Sequence, residues 1–229
     1  MLLLITGASR GIGLFLLKKF KEEGHTVFGT YSGTQPENEL SENFTKVNVA
    51  ETREVQNWIE QAASEEDEIV LINCASINYN ALARRADADD WMNLINVNLG
   101  GTFRTINAVL PLMYKKQFGR IINFSSIVAQ KGVVGTSAYA ASKSALWGMA
   151  KTIATENGQK NITINNINLG YVNAGMTLND VPEKLREEII EQIPSKKLCG
   201  LEDVYKTVKY LIETEYINGT SIDLNGGLY

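Results

Sequence analysis

Apolar runs of strand length alternate with stretches of helical spacing along the whole chain, and that alternation predicts an α/β fold in which helices wrap a parallel sheet. Two further observations agree with it. Runs such as Leu2-Leu-Leu-Ile5 and Ile69-Val-Leu-Ile72 are continuously apolar, as buried strands are, and no proline-rich linker, repeat or low-complexity tract interrupts the pattern. At 229 residues, 44% hydrophobic and 21% charged, the chain suits one large domain with a well-buried core.

The elements follow in order. Leu2–Ile5 is the first strand, and a helix from about Ile12 to Glu23 stops at Gly24. Thr26–Thr30 makes a second strand and Thr45–Asn48 a short third. Helical spacing over Glu54–Ala63 precedes the buried strand Ile69–Ile72, which ends at Asn73. Asp89–Lys116 reads as one long helix with an acidic start, where Asp suits the positive end of the helix dipole. Arg120–Phe124 is a strand, Tyr139–Asn157 a helix and Ile162–Asn168 another strand. Helical patterns over Pro182–Gln192 and Glu202–Thr214 lead to a last strand, Ser221–Leu224.

Charge and cysteine usage exclude several classes. The net charge is −4, and lysines cluster only as the pairs Lys18-Lys19, Lys115-Lys116 and Lys196-Lys197, so neither nucleic acid nor an anionic membrane is expected as a partner. Cys74 and Cys199 with the lone His25 cannot build a metal site and read as free thiols. The run Met1–Ile5 is too short for a signal segment or a membrane span, and a cytoplasmic protein is expected.

The first chemical motif is Thr6-Gly-Ala-Ser-Arg-Gly-Ile-Gly13, at a strand-to-helix junction. Glycines there allow a tight turn and close approach of a pyrophosphate, while the helix start offers unpaired N–H groups. About 20 residues further on, an acidic side chain would accept bonds from a ribose 2′-hydroxyl. No Asp or Glu occurs between Gly24 and Pro36, and Arg10 could pair with a 2′-phosphate, so NADP(H) is favoured over NAD(H).

The second motif is Tyr139-Ala-Ala-Ser-Lys143, with Ser126 upstream. A phenol serves as an acid–base group near neutral pH only if its pKa of about 10 is lowered, and a lysine one helical turn away can do that. Ser126, emerging at the end of Arg120–Phe124, could hold a substrate oxygen while Tyr139 exchanges the proton. Asn98 would sit within the long helix and hold a water linking Lys143 to solvent. Taken singly, each is an ordinary turn or helix residue; taken together, in this order after a glycine loop, they read as a catalytic set.

In these motifs the chain resembles the short-chain dehydrogenase/reductase family, and the resemblance runs nearly end to end, closing on Asn218-Gly-Thr-Ser-Ile-Asp-Leu-Asn-Gly-Gly227. It implies a single-domain Rossmann-like, doubly wound fold over residues 1–229 with a seven-stranded parallel sheet, and commonly a homotetramer, or a homodimer, built on the two long helices. It implies a catalytic tetrad of Asn98, Ser126, Tyr139 and Lys143. Cofactor contacts are implied at Gly7, Ser9, Arg10, Gly11, Ile12 and Gly13, at Thr30 and Ser32, at Asn48 and Val49, at Asn73 and Ala75, at Gly170 and Val172, and again at Tyr139 and Lys143. Among subgroups it is most similar to the 3-oxoacyl-[acyl-carrier-protein] reductases, through Arg120-Ile-Ile-Asn-Phe-Ser-Ser126 and Ala138-Tyr-Ala-Ala-Ser-Lys143.

The chain departs from the family pattern at four points. Asn73-Cys-Ala-Ser76 replaces Asn-Asn-Ala-Gly, Leu169-Gly170 replaces Pro-Gly, Ala174 stands at the usual threonine, and Asn48 at the usual acidic residue. Ala174 lacks a hydroxyl for the nicotinamide amide, which leaves that contact to the Val172 backbone.

Ile127, Val128, Gln130, Val133, Asn78, Met176 and Leu178 are expected to line a mostly apolar pocket, and residues 173–193 to form a lid over it. An acidic acyl carrier would need a basic rim, for which Lys115, Lys116, Arg120 and Lys160 are the candidates. The expected activity is NADPH-dependent reduction of a ketone, 3-oxoacyl thioester-like, or the reverse oxidation of a small secondary alcohol. A sugar or polyol dehydrogenase using Asn78, Tyr79 and Gln130, and a nucleotide-binding regulator without turnover, are the alternatives.

Overall fold

A computed structural model describes residues 1–36, 38–65 and 67–228. Seven parallel strands form one sheet in the order β3-β2-β1-β4-β5-β6-β7, where β1 is Leu2–Thr6, β2 Thr26–Tyr31, β3 Phe44–Lys46, β4 Ile69–Asn73, β5 Gly119–Ser126, β6 Ile162–Leu169 and β7 Ser221–Leu224. This is the Rossmann-like doubly wound sheet. Between β1 and β4 the winding reverses, which opens a crevice at the carboxyl ends of those strands.

Continuous apolar strands are what a sheet covered on both faces requires. Successive side chains point to opposite faces, so Leu3 and Ile5 pack with Leu16, Leu17 and Phe20 of α1 (Gly11–Glu22) and with Val204, Val208 and Leu211 of α8 (Leu201–Glu213). Leu2 and Leu4 face the other way, toward Val55, Trp58 and Ile59 of α2 (Thr52–Ala62). Beside them on that face lie Ile106, Val109 and Met113 of α4 (Gly101–Lys116) and Ala150 and Ile153 of α5 (Ser137–Asn157). Each such aliphatic side chain contributes about 1.5–3 kcal/mol on burial.

The expected long helix over Asp89–Lys116 is divided. Helix α3 covers Ala88–Ile95, capped by Asp87, whose Oδ1 accepts from the N–H groups of Asp89 and Asp90. A π-turn over Asn96–Gly100 then leads into α4. An extra residue in a helical turn has no signature in the 3.6-residue pattern, so the sequence reads straight through it. The third strand also comes slightly earlier than expected, because Gly29, Thr30 and Tyr31 pair with Phe44, Thr45 and Lys46.

Polar side chains also cross the sheet interior. Asn73, Asn123, Asn166 and Ser221 lie opposite one another in register on β4 to β7. Asn73 Nδ2 donates to Asn123 Oδ1 at 2.9 Å, Asn123 Nδ2 to Asn166 Oδ1 at 3.2 Å and Asn166 Nδ2 to Ser221 Oγ at 3.0 Å. Thr105 Oγ1 supplies the other end, donating to Asn73 Oδ1 at 2.7 Å.

Arg120 corrects the expected basic rim. Its guanidinium is buried at the start of β5, donating to the carbonyls of Ile212, Gly119 and Asn161 at 3.1, 2.9 and 2.8 Å and lying over the Phe118 ring. Lys115 and Lys116 end α4 beside it, and within one chain Arg120 sits about 20 Å of strand away from Ser126.

Candidate active site

The crevice at the sheet's turning point is a cleft of about 880 Å³, a size suited to a small-molecule ligand. Its floor begins at the glycine-rich turn after β1. Gly7 and Gly11 have φ of +61° and +57°, and a Cβ at Gly7 would meet the Ala75 Cα at 2.8 Å. A Cβ at Gly13 would fall 2.6 Å from the Gly7 carbonyl oxygen. The turn is held from neighbouring strands. Thr30 Oγ1 accepts from Gly7 N–H at 3.2 Å, and Thr6 Oγ1 accepts from the Cys74 and Ala75 N–H groups, both at 3.1 Å. Arg10 supplies no side-chain cap, so the first N–H groups of α1 are presented at the cleft without one. That bare cradle fits the pyrophosphate of a dinucleotide.

Further along, Ser32, Gly33 and Thr34 after β2 line the cleft with Arg10, which is exposed, and no acidic side chain lies between Gly24 and Pro36. Asn48 and Val49 after β3 form the next wall, with the Asn48 N–H tied to Glu54 Oε2 at 2.7 Å. Gly170 and Val172 follow β6. A Cβ at Gly170 would meet Asn225 Cα of the closing segment at 2.8 Å, while the Val172 carbonyl accepts from Ala174 N–H at 2.7 Å.

Ser126, Tyr139 and Lys143 share one wall of the cleft. Strand β5 brings Ser126 to its last residue, where Oγ accepts from the Val128 N–H at 3.2 Å. Helix α5 starts two residues before Tyr139, so the i, i+4 spacing sets Lys143 one turn further in, its Nζ 5.4 Å from the tyrosine ring centroid. Lys143 Nζ donates to the Phe124 carbonyl at 2.9 Å, and Ser125 Oγ donates to the Lys143 carbonyl at 3.0 Å, fixing α5 to β5.

The electrostatics differ from the sequence expectation. Burial pushes the Tyr139 pKa up to about 12, against opposing pulls from the nearby hydroxyls of Ser76 and Ser126. Burial likewise brings Lys143 down to about 8, with the Cys74 thiol pulling the other way. Desolvation outweighs pair attraction here, so at neutral pH Tyr139 holds its proton firmly.

Of the residues expected at the site, Asn98 and Asn73 stand apart from the cleft wall. Asn98 is fully buried in the π-turn, its Oδ1 accepting from Ile77 N–H at 2.8 Å and its Nδ2 donating to the Ile77 carbonyl at 3.0 Å and to Ser142 Oγ at 3.5 Å. It braces the loop after β4 against α5. Asn73 is taken up in the row of amides across the sheet. Gln130 is also turned away, donating to Asp223 Oδ1 at 2.8 Å, and Leu178 is exposed off the cleft, whereas Asn78, Ile127, Val128, Val133 and Met176 line it.

Residues 173–193 carry two helices, α6 (Met176–Asn179) and α7 (Glu183–Gln192), and contribute Met176, Leu185 and Ile189 to the wall. Gly175 was not singled out in the sequence. Its φ of +53° and ψ of −128° suit glycine alone, and it brings the segment's backbone to within 3.3 Å of a Cβ built at Gly11. No period or motif marks such a contact; only a glycine next to Ala174 hints at it.

Fold and site together define an oxidoreductase that works with a nicotinamide dinucleotide, with a tyrosine–lysine pair set beside the glycine cradle. The family model described as short chain dehydrogenase matches residues 2–185, and the chain belongs to that family of NAD(P)-dependent oxidoreductases. It is similar to the 3-oxoacyl-[acyl-carrier-protein] reductase of Staphylococcus epidermidis RP62A, with 35% identity covering 99% of this chain and 98% of the relative. The reductase of the same name from Staphylococcus aureus Mu50 is 33% identical, over 99% of this chain and 97% of the relative. That of Salmonella typhimurium LT2 is 32% identical, over 99% and 96%.

Proposed function

We propose that the protein is an NADPH-dependent reductase that converts the ketone of a 3-oxoacyl thioester to a secondary alcohol. The observation that carries this reading is the shared wall of Ser126, Tyr139 and Lys143 in a cleft that runs from the glycine cradle to an apolar mouth of Val133, Val134, Leu185 and Ile189. Among the described residues no cationic side chain apart from Arg10 and Lys143 lines it, so a substrate phosphate or carboxylate finds no clamp there, while an acyl chain finds apolar side chains such as Val133, Leu185 and Ile189.

The nicotinamide, when bound, supplies the hydride. Ser126 Oγ–H holds the ketone oxygen, and Tyr139 delivers the proton that the oxygen takes up as the C–O double bond becomes single. Lys143 orients the cofactor ribose at the inner end of the wall, and Asn98 acts from behind through the loop at Ile77. The NADPH preference rests on Arg10, Ser32 and Thr34 around the expected 2′-phosphate position and on the missing acid after β2. A carrier-bound substrate, in keeping with the names of the relatives, completes the proposal together with a cytoplasmic setting and a homotetramer.

A sugar or polyol substrate is less well served. Of the three polar groups expected to serve it, Gln130 is bound to Asp223 and the Tyr79 hydroxyl accepts from Asp87 N–H at 2.8 Å, which leaves Asn78 on the cleft wall.

Loss of NADPH absorbance over a panel of 3-oxoacyl thioesters (carrier-bound and coenzyme A-bound), simple ketones and keto sugars tests the substrate class. The thioesters should be fastest, and Tyr139→Phe should lower their kcat by at least about 10²-fold, with NADPH affinity within twofold. An unchanged rate overturns the mechanism, and a protein that binds nucleotide but turns over nothing would be a sensor. Fluorescence titration should give tighter binding of NADPH than NADH, with Arg10→Ala narrowing the gap about tenfold; equal wild-type affinities sink the preference.

A further inference from the structure

Ser76 lies three residues beyond β4 on the cleft wall that also carries Ser126 and Tyr139. Its Oγ is buried and completes no hydrogen bond among the described residues. A buried hydroxyl left unpaired costs about 1–3 kcal/mol, so it calls for an explanation.

The neighbouring backbone does not supply the partner. Cys74 and Ala75 N–H groups are spent on Thr6 Oγ1, and both the N–H and the carbonyl of Ile77 are spent on the Asn98 amide. Ser76 lines the cleft, so its unpaired hydroxyl is placed where a group in the cleft can meet it. Tyr139 lines the same cleft, and the Ser76 hydroxyl, like that of Ser126, pulls the tyrosine pKa downward. The family motif that this loop resembles has glycine at the position, so the hydroxyl is a feature of this chain and not a requirement of the turn.

We propose that Ser76 is a positioning residue for Tyr139: its hydroxyl donates to the tyrosine oxygen and holds the charge left when the proton departs, while the Ser126 hydroxyl stays with the substrate oxygen. The proposal rests on the reading of Tyr139 as the proton donor. No bond is made or broken at Ser76. Its contribution is to stabilise the tyrosinate and to aim the phenol oxygen across the cleft toward the substrate oxygen. A shift of one pH unit in the tyrosine is the size expected from one hydrogen bond to a charged oxygen, about tenfold in the ionisation constant.

The test reads the phenol directly. With 3,5-difluorotyrosine in place of Tyr139, whose phenol ionises at lower pH than tyrosine, the ¹⁹F signal is titrated in the protein alone, with Ser76 intact and with Ser76→Ala, Ser76→Gly and Ser76→Thr. Ala and Gly should raise the midpoint by about one unit, and Thr, which keeps the hydroxyl, should restore it. In parallel, with Tyr139 itself retained, the high-pH limb of ketone reduction should move up by the same amount in the Ala and Gly variants, with KM for NADPH within twofold.

A midpoint unmoved by Ala and Gly, or moved equally by Thr, overturns the role of Ser76 even if reduction proceeds as proposed. A rise in substrate KM with no change in midpoint would place the hydroxyl on the substrate and likewise overturns it. If the midpoint moves as expected but no ketone is reduced by any of the proteins, the hydrogen bond stands and the proposed function fails.

Discussion

An ammonium group inside a protein is held at a cost, and Lys143 carries it. Its pKa falls from the ordinary 10.5 to about 8 because burial penalises the charged form. Between those two values the unfolded chain binds more protons than the folded one, so stability from this group rises as pH climbs from about 8 to 10.5, and at neutral pH the full penalty is present. Lys143→Met should therefore stabilise the fold at pH 7 by on the order of 1–3 kcal/mol, about 2–4 °C in Tm for each kcal/mol, and the gain should shrink as pH climbs from about 8 to 10.5. Thermal unfolding across pH measures it; a lower Tm at pH 7 refutes it. Tyr139 has the opposite sign. Raised to about 12, it keeps its proton in the folded state longer than in the unfolded one and costs stability only as pH passes from 10 toward 12. The pair thus sits in a site whose electrostatics favour chemistry over stability.

At the scale of elements, the asparagine row shows what tertiary register can build from residues that look unremarkable one at a time. Asn123 serves both neighbours, accepting from Asn73 and donating to Asn166. Asn123→Ala should destabilise by about 2–4 kcal/mol, since it leaves two buried amide groups unpaired; chemical denaturation with an unchanged m-value would measure it, and a change under about 0.5 kcal/mol would argue against the row's importance. Strands and helices were legible because apolar runs and 3.6-residue spacing reflect burial directly, and Ser126, Tyr139 and Lys143 were legible because strand end and helix turn bring them together. The π-turn, the placement of Asn73 and Asn98 behind the cleft wall, and the inward Arg120 were not. Each depends on which neighbour a polar group meets across the fold, information that one-dimensional spacing does not contain.

For the whole molecule, large apolar side chains remain on the outer surface of the α3–α4 pair, where Met92 and Phe103 are 57% and 50% exposed. Apolar surface on the long helices is what assembly through them would cover, in line with the proposed homotetramer. Phe103→Glu should shift the species seen by light scattering to a smaller one, with far-UV circular dichroism unchanged; a mass identical to wild type at micromolar concentration counts against assembly through this surface.

The row of amides has one more property. Every donor in it points the same way: Thr105 to Asn73, Asn73 to Asn123, Asn123 to Asn166, Asn166 to Ser221. Turning over any one amide would set two carbonyl oxygens, or two NH₂ groups, face to face, so no member can invert alone. The four strands beneath the cleft wall are therefore joined by a chain with a sense of direction, which fixes which way each amide faces from β4 to β6.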